Sequence, residues 1–287
     1  MANGITRGAL PNLLVIGAQK CATTSLHFYL NQHPEIQMAR GKELNFFVAN
    51  GSWANGVDWY ARHFDPDAPV RGESSPAYTN YPIHDGVPAR IHSLVPQTKL
   101  VYMVRDPVER AVSQYVHAYS TGSENRSIED VFEEGLSTHP YVMRSKYFLQ
   151  LKQYLGFFNA AAILVVAQEE LLLDRTAAMR RIFAFLEVEP SFYHPKFDQI
   201  KHLSRDRRRR TWAGRAVASA VRTVTRPLHP PRWLAWQAEN YLVFPFARKV
   251  GRPALSSTMR ERLAGEFQDD VKRLRELTGQ EFATWSV

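Results

Sequence analysis

Apolar residues recur along this chain in two rhythms. Four runs are short and nearly continuous: Leu13 to Ile16, Lys42 to Phe47 ("KELNFF"), Lys99 to Val104 and Ile163 to Ala167; "VRGESS" at 70 to 75 is a weaker fifth. Each leads through a polar turn into apolar positions spaced three or four apart. Runs of this length predict strands, and "LVYMV", apolar throughout, predicts a central parallel strand buried on both faces. The helical rhythm is clearest in three places. Leu26, Tyr29 and Leu30 share a face after Thr23 to Ser25. Met179, Ile182, Phe183 and Leu186 follow a cap at Asp174. Leu263, Phe267, Val271, Leu274 and Leu277 follow a capping box of Thr258 and Glu261, with Gly279 as the stop. Strands alternating with helices predict right-handed βαβ crossovers, and so a three-layer α/β/α fold with a central parallel sheet.

Composition narrows this picture. A chain of 287 residues, 45% hydrophobic and 12% aromatic, buries a sizeable core, which argues against disorder and coiled coil. The formal net charge of +8 favours phosphate-rich or polyanionic partners, or an anionic membrane surface. Cys21 is the sole cysteine, so neither an internal disulfide nor a cysteine-based zinc cluster is expected. "MANGITRGALPN" has no signal-peptide core, and the longest apolar run, "AAAILVVA" at 160 to 167, is far short of the ~20 residues that span a bilayer. The expectation is a soluble, cytoplasmic protein. Charge is uneven: between Lys201 and Arg252, thirteen lysines and arginines face two acids and are interleaved with Trp212, Trp233, Trp236, Tyr241, Phe244 and Phe246.

Two stretches carry candidate chemistry. "LLVIGAQKCATTSLHFYL", residues 13 to 30, runs from a strand through Gly17 and Lys20 into a helix beginning at Thr23, Thr24 and Ser25. A loop between strand and helix aims free N–H groups at one point where the helix dipole favours an anion, and Lys20 adds a full charge. An ATP-binding loop places its lysine six residues after the first glycine with a hydroxyl beside it. Here Lys20 comes three residues after Gly17. The alternative is a surface lysine preceding a capped helix. In "VYMVRDPVERAVSQYVHAY", Arg105 ends a buried strand, Pro107 takes a first helical position and Ser113 lies two turns further on. An arginine at the carboxyl end of a central strand stands where open α/β sheets bind ligands. Its alternative is a local ion pair with Asp106.

Together the two stretches resemble the sulfotransferases that use 3′-phosphoadenosine 5′-phosphosulfate (PAPS), most closely the branch with heparan sulfate sulfotransferases and bacterial relatives. "KELNFF", "ESSPAY" at 73 to 78, and the helix, strand, helix series from "SKYFLQL" to "FAFLEV" extend the resemblance over roughly residues 12 to 210. It implies that Gly17, Lys20, Cys21, Ala22, Thr23, Thr24 and Ser25 hold the 5′-phosphosulfate and that Arg105 and Ser113 hold the 3′-phosphate. It also implies that Glu43 is the general base, and that Lys201, Ser204 and Arg205 lie on a basic loop over the nucleotide. Lys20 then neutralises the bridging oxygen, and Lys42 steadies the sulfuryl group or the acceptor. No metal is required. Three departures stand out: Cys21-Ala22 where a small residue and glycine are usual, Asn45 for histidine, and Ser74 for lysine. A helix already begun at Ala22 would accommodate its Cβ.

By periodicity Glu43 shares a strand face with Asn45 and Phe47, where partial burial would make it a better base; a salt bridge with Lys42 or Lys20 is the alternative. Histidines 27, 84 and 92 fall at exposed helix or turn positions and read as structural. The domain expectation is a single domain over 1–287, with a nucleotide-binding core at 12–210 and a helical, basic lid or accessory region at 211–287. Arg207 to Arg210 form either a solvated face or an acceptor-binding edge. The aromatic stretch after them is ordinary packing, an apolar lid, or a peripheral membrane contact through 211–250. The implied reaction is sulfuryl transfer to a hydroxyl or amine of a carbohydrate, glycolipid or small natural product. The rivals are a P-loop kinase or NTPase, and a basic nucleic-acid or membrane-surface binding protein.

Overall fold

Leu13, Leu14, Val15 and Ile16 are all fully buried, so the strand that carries them is apolar on both faces and sits inside a covered sheet. The computed structural model describes residues 10–199, 208–225 and 244–287. Its main sheet is built from β1 (Leu13–Gly17), β2 (Ile36–Met38), β3 (Val70–Ser74), β4 (Lys99–Val104) and β5 (Ile163–Ala167). All neighbours are parallel, in the order β2-β3-β1-β4-β5. Leu13 lies opposite Gly72 on one side and Lys99 on the other. The chain leaves β1 for one edge, returns through β3, and then crosses to β4 and β5. That reversal beside β1 opens a crevice at the carboxyl ends of the strands.

The helices are α1 (Thr23–Leu30), α2 (Val57–Ala61), α3 (Val87–Leu94), α4 (Pro107–Thr121), α5 (Ile128–Glu133), α6 (Pro140–Met143), α7 (Tyr147–Leu155), α8 (Gln168–Leu173), α9 (Arg175–Leu186), α10 (Trp212–Thr225) and α11 (Ser257–Thr278). Asp174 caps α9 by accepting from the Ala177 N–H at 2.9 Å, and Met179, Ile182, Phe183 and Leu186 are its buried face. Leu263, Phe267, Val271 and Leu274 are the buried stripe of α11, which begins at Ser257 and stops at Gly279, φ 66°.

One predicted strand is absent. Lys42 to Phe47 is a loop, because Glu43 and Asn45 adopt left-handed φ values of 62° and 49° that an extended strand excludes. Its amides bond instead to the end of β3 and beyond: Glu43 N–H to Ser74 O at 3.0 Å and Asn45 N–H to Ser75 Oγ at 3.0 Å. The sheet position belongs to the three residues of β2. The apolar residues that suggested a strand, Leu44, Phe46 and Phe47, are buried as anchors of the loop. Phe46 stacks on Tyr60 with ring centroids 4.0 Å apart.

Contacts divide the chain into two units. The first takes the described residues up to Ala111, those from Gly135 to 199, and Ser257–Val287, so α11 groups with the sheet. Here α11 packs on α7 and holds it by its N-terminus, Asp270 accepting from the Phe148 and Leu149 N–H groups at 2.9 and 2.8 Å. The second takes Val112–Glu134 and the described residues up to Ser256. In it β6 (Arg208–Arg210) pairs antiparallel with β7 (Ala247–Lys249), and Arg209 stacks 3.9 Å over the Tyr119 ring. Among the described residues no helix is long and apolar enough to cross a membrane.

Candidate active site

The phosphate-type loop forms where β1 runs out. Gly17 is required there by close approach: a Cβ would lie 1.9 Å from Thr79 Oγ1, which donates to Ile16 O at 3.1 Å. The loop then turns twice through left-handed residues, Lys20 at φ 76° and Ala22 at φ 60°. Ala22 is therefore not in the helix, contrary to expectation. It is the N-cap of α1 and supplies no side-chain cap. The first-turn amides of Thr23 and Thr24 come before the first intrahelical bond, at a helix start that favours an anion. Lys20 and Thr24 are half-buried, and Thr23 and Ser25 are buried. The Cys21 side chain is fully buried with Sγ 3.6 Å from Tyr147 Oη, and burial pushes its thiol up to about 11, so it is uncharged at neutral pH.

Arg110 fastens this loop to the rest of the unit. Fully buried, it donates to Gln19 O at 3.1 Å, Tyr141 O at 2.7 Å and Ser145 Oγ at 2.6 Å. Arg105 stands at the carboxyl end of β4, adjacent to β1. Asp106 is not its ion-pair partner. That carboxylate caps α4 by accepting from Glu109 N–H at 3.0 Å and also takes the Ser286 N–H at 2.6 Å. Among the described residues the one ion-pair contact of the Arg105 side chain is a long one to Glu109, 3.9 Å, and Glu109 is shared with Arg260 at 3.1 Å. Among the described residues the Arg105 Nε is buried without a partner. A guanidinium so placed at a sheet crevice is open to an anion. Ser113 is buried two turns along α4. Lys201, Ser204 and Arg205 lie outside the described residues.

The third component is the loop carrying Lys42 and Glu43. Their side chains pair at 2.5 Å, and the Glu43 side chain is 52% exposed. The salt-bridge alternative is thus present, and the desolvation expected of this carboxylate is not. Behind it lies an acid that sequence reasoning passed over. Glu73 is fully buried and receives hydroxyl donors from Tyr60, Ser75 and Tyr78, the last at 2.8 Å. Burial raises its carboxyl above the usual range, against the pull of those three hydroxyls. Ser75 Oγ accepts from Asn45 N–H at 3.0 Å and Tyr78 Oη from Phe47 N–H at 3.4 Å. The Glu43 loop is therefore hung from Glu73 through two hydroxyls.

His27 also differs from expectation. It is half-buried on α1, with Nδ1 3.1 Å from Ser74 Oγ, and burial together with the Lys42 charge lowers it to about 4. The signal lay in spacing: four residues after Thr23 is one helical turn, which keeps residue 27 on the loop side of α1. Among the described residues no group of three or more His, Cys, Asp or Glu side chains is placed to hold a metal ion. The carboxyl ends of β1, β3 and β4 thus bear a cationic loop, a suspended carboxylate loop and an incompletely paired arginine. That set can bind a phosphorylated ligand and move a proton beside it.

Comparison with known proteins agrees with this layout. A family model described as a sulfotransferase domain matches residues 10–221. The membrane-associated sulfotransferase of Dictyostelium discoideum is 38% identical over 123 residues, 41% of this chain and 25% of that protein. Heparan sulfate glucosamine 3-O-sulfotransferase 6 of Homo sapiens is 31% identical over 194 residues, 65% of this chain and 55% of that protein. The chain therefore spans about a quarter to a half of these relatives' lengths. Among solved structures, a sulfotransferase from Alicyclobacillus acidocaldarius superposes with a TM-score of 0.68 at 25% identity, covering 96% of this chain and 99% of the other.

Proposed function

This chain belongs to the sulfotransferase domain family, and from that premise we propose that it transfers a sulfuryl group from PAPS to a hydroxyl or amine of an acceptor. The observation that carries the reading is the pairing of the Gly17 to Ser25 loop with Arg105, whose Nε has no partner among the described residues, on the adjacent strands β1 and β4. Lys20, the amides of Thr23 and Thr24, and Ser25 hold the 5′ end of the donor. Arg105, with Ser113 further along α4, holds its 3′-phosphate. Lys201, Ser204 and Arg205 are further nucleotide contacts on the resemblance alone.

The donor supplies an activated sulfuryl group on a phosphate leaving group. The acceptor oxygen or nitrogen attacks sulfur in line, the sulfur–oxygen bond to phosphate breaks, and the acceptor proton leaves to a base. Lys20 offsets the charge that develops on the leaving oxygen. Glu43 takes the proton, and Lys42, 2.5 Å away, orients that carboxylate and steadies the sulfuryl oxygens. Positioning and electrostatics supply most of the barrier reduction. A saccharide acceptor is supported by the name of the human relative, which acts on heparan sulfate glucosamine.

Calorimetric titration with adenosine 3′,5′-bisphosphate in EDTA, against ATP with Mg²⁺, tests the reading. Micromolar or tighter metal-independent binding of the bisphosphate is expected, weakened at least tenfold in Lys20→Ala. Preference for ATP with Mg²⁺ would put a kinase in its place. Binding to neither, with salt-sensitive affinity for DNA or anionic vesicles, would favour a surface-binding protein.

A further inference from the structure

Arg144 follows α6 and reaches Gln19, the residue before the loop lysine. Among the described residues its guanidinium makes a single hydrogen bond, Nη1 to Gln19 Oε1 at 3.5 Å, at the limit of such contacts. Its Nε is buried without a partner among those residues. It forms no salt bridge among the described residues. The cation acting on it is Arg110, whose hydrogen bonds go to Ser145 Oγ, Gln19 O and Tyr141 O, all uncharged. Burial and that like charge together hold Arg144 below the usual arginine range, and Arg144 in turn depresses His84, after burial. Arg105 adds a third positive field at Arg110.

Buried cations in each other's field are unfavourable unless an anion joins them. Nothing described in the chain supplies that anion, and fold stability is served better by a neutral side chain at this position. A half-buried guanidinium with one long hydrogen bond, no salt bridge among the described residues and a place beside a phosphate loop is equipped for an oxyanion, which its planar fork suits.

We propose that Arg144, with the Gln19 side chain beside it, binds an oxyanion at the edge of the phosphate loop, in addition to the groups that hold the nucleotide. Two sources carry that chemistry: the sulfuryl end of the donor, and a sulfate or carboxylate on an acidic saccharide acceptor. The choice between them rests on the sulfotransferase reading above; the anion site itself does not.

The test uses the full chain, in buffer free of sulfate and phosphate, titrated with inorganic sulfate with and without saturating adenosine 3′,5′-bisphosphate. Wild type should bind sulfate with the bisphosphate in place, and Arg144→Gln should lose at least tenfold in sulfate affinity. If bisphosphate affinity is unchanged in Arg144→Gln, the oxyanion belongs to the sulfuryl or acceptor position. If it also falls tenfold or more, Arg144 reaches the donor phosphates. Arg144→Lys, which keeps the charge but not the fork, should recover only part of the sulfate affinity. In the absence of anions Arg144→Gln should melt at or above the wild-type temperature, since it removes like-charge repulsion. A clear drop in melting temperature, or sulfate binding equal in wild type and Arg144→Gln, overturns the proposal. Sulfate binding that depends on Arg144 in a chain that does not bind the bisphosphate leaves the site standing and sinks the sulfotransferase reading.

Discussion

At Ala22 the backbone takes φ 60° just as the loop gives way to α1, in a region where a Cβ is crowded by the neighbouring carbonyl. Glycine avoids that cost. Ala22→Gly should therefore leave the fold intact and change stability by no more than about 1 kcal/mol, in the stabilising direction once strain relief outweighs the extra freedom of the unfolded chain. Thermal melts of the two proteins check this, and a loss of several degrees would mean the Ala22 methyl makes contacts worth more than the strain. Lys20 at φ 76° pays a similar cost, which fits a residue whose position is set by what it must reach. Cys21 carries no such burden: its buried, uncharged thiol makes it a packing residue whose contribution to the loop comes from its backbone.

Among the elements, the segment from Lys42 to Phe47 shows how a catalytic candidate can be fixed without secondary structure. Its backbone is held by the end of β3, by Ser75 and by Tyr78, and both hydroxyls lead to Glu73. Ser75→Ala strips the partner from the Asn45 N–H and one donor from Glu73, a loss on the order of 1–3 kcal/mol for buried polar groups. If Glu43 is the base, turnover should fall with bisphosphate affinity retained, and Glu43→Gln alone should lower turnover at least about 10²-fold. In the Glu43→Gln background, Ser75→Ala should then have little further effect on turnover. Effects that simply multiply would show that Ser75 acts independently of Glu43.

On the scale of the whole molecule, α11 is tied to α7 through Asp270, whose carboxyl is raised from 3.8 to about 6 chiefly by burial, against two backbone N–H donors. The folded chain thus keeps a proton that the unfolded chain releases between about pH 4 and 6. The contribution of this group to stability is full below that window and is lost as pH rises through it. His27 has the opposite sign: lowered from 6.5 to about 4 by burial and Lys42, it contributes fully above about pH 6.5 and loses that contribution as pH falls. The two oppose one another in net acid stability, so the Asp270 contribution is visible only against a variant. The stability of wild type relative to Asp270→Asn should decline by on the order of 2–3 kcal/mol between pH 4 and 6.5; a flat difference would show that Asp270 does not titrate there.

What the sequence determined by itself is local. Continuous apolar runs specify β1, β4 and β5 because a strand buried on both faces needs no partner-specific pattern, and the stripes of α9 and α11 follow from helical period. The Gly17 to Ser25 spacing and the placement of Arg105 before Asp106-Pro107 were legible for the same reason, since strand ends and helix starts are written in adjacent residues. Tertiary structure decided the rest. Lys42 to Phe47 alternates like a strand, yet left-handed turns at Glu43 and Asn45 and hydroxyls from residues 75 and 78 make it a loop. The exposure of Glu43, the neutral leaning of His27, the buried network of Glu73 and the absence of a carboxylate partner for Arg144 among the described residues all depend on which distant side chains share a space. Burial and pairing across the sheet set those properties, and residue spacing along the chain does not encode them.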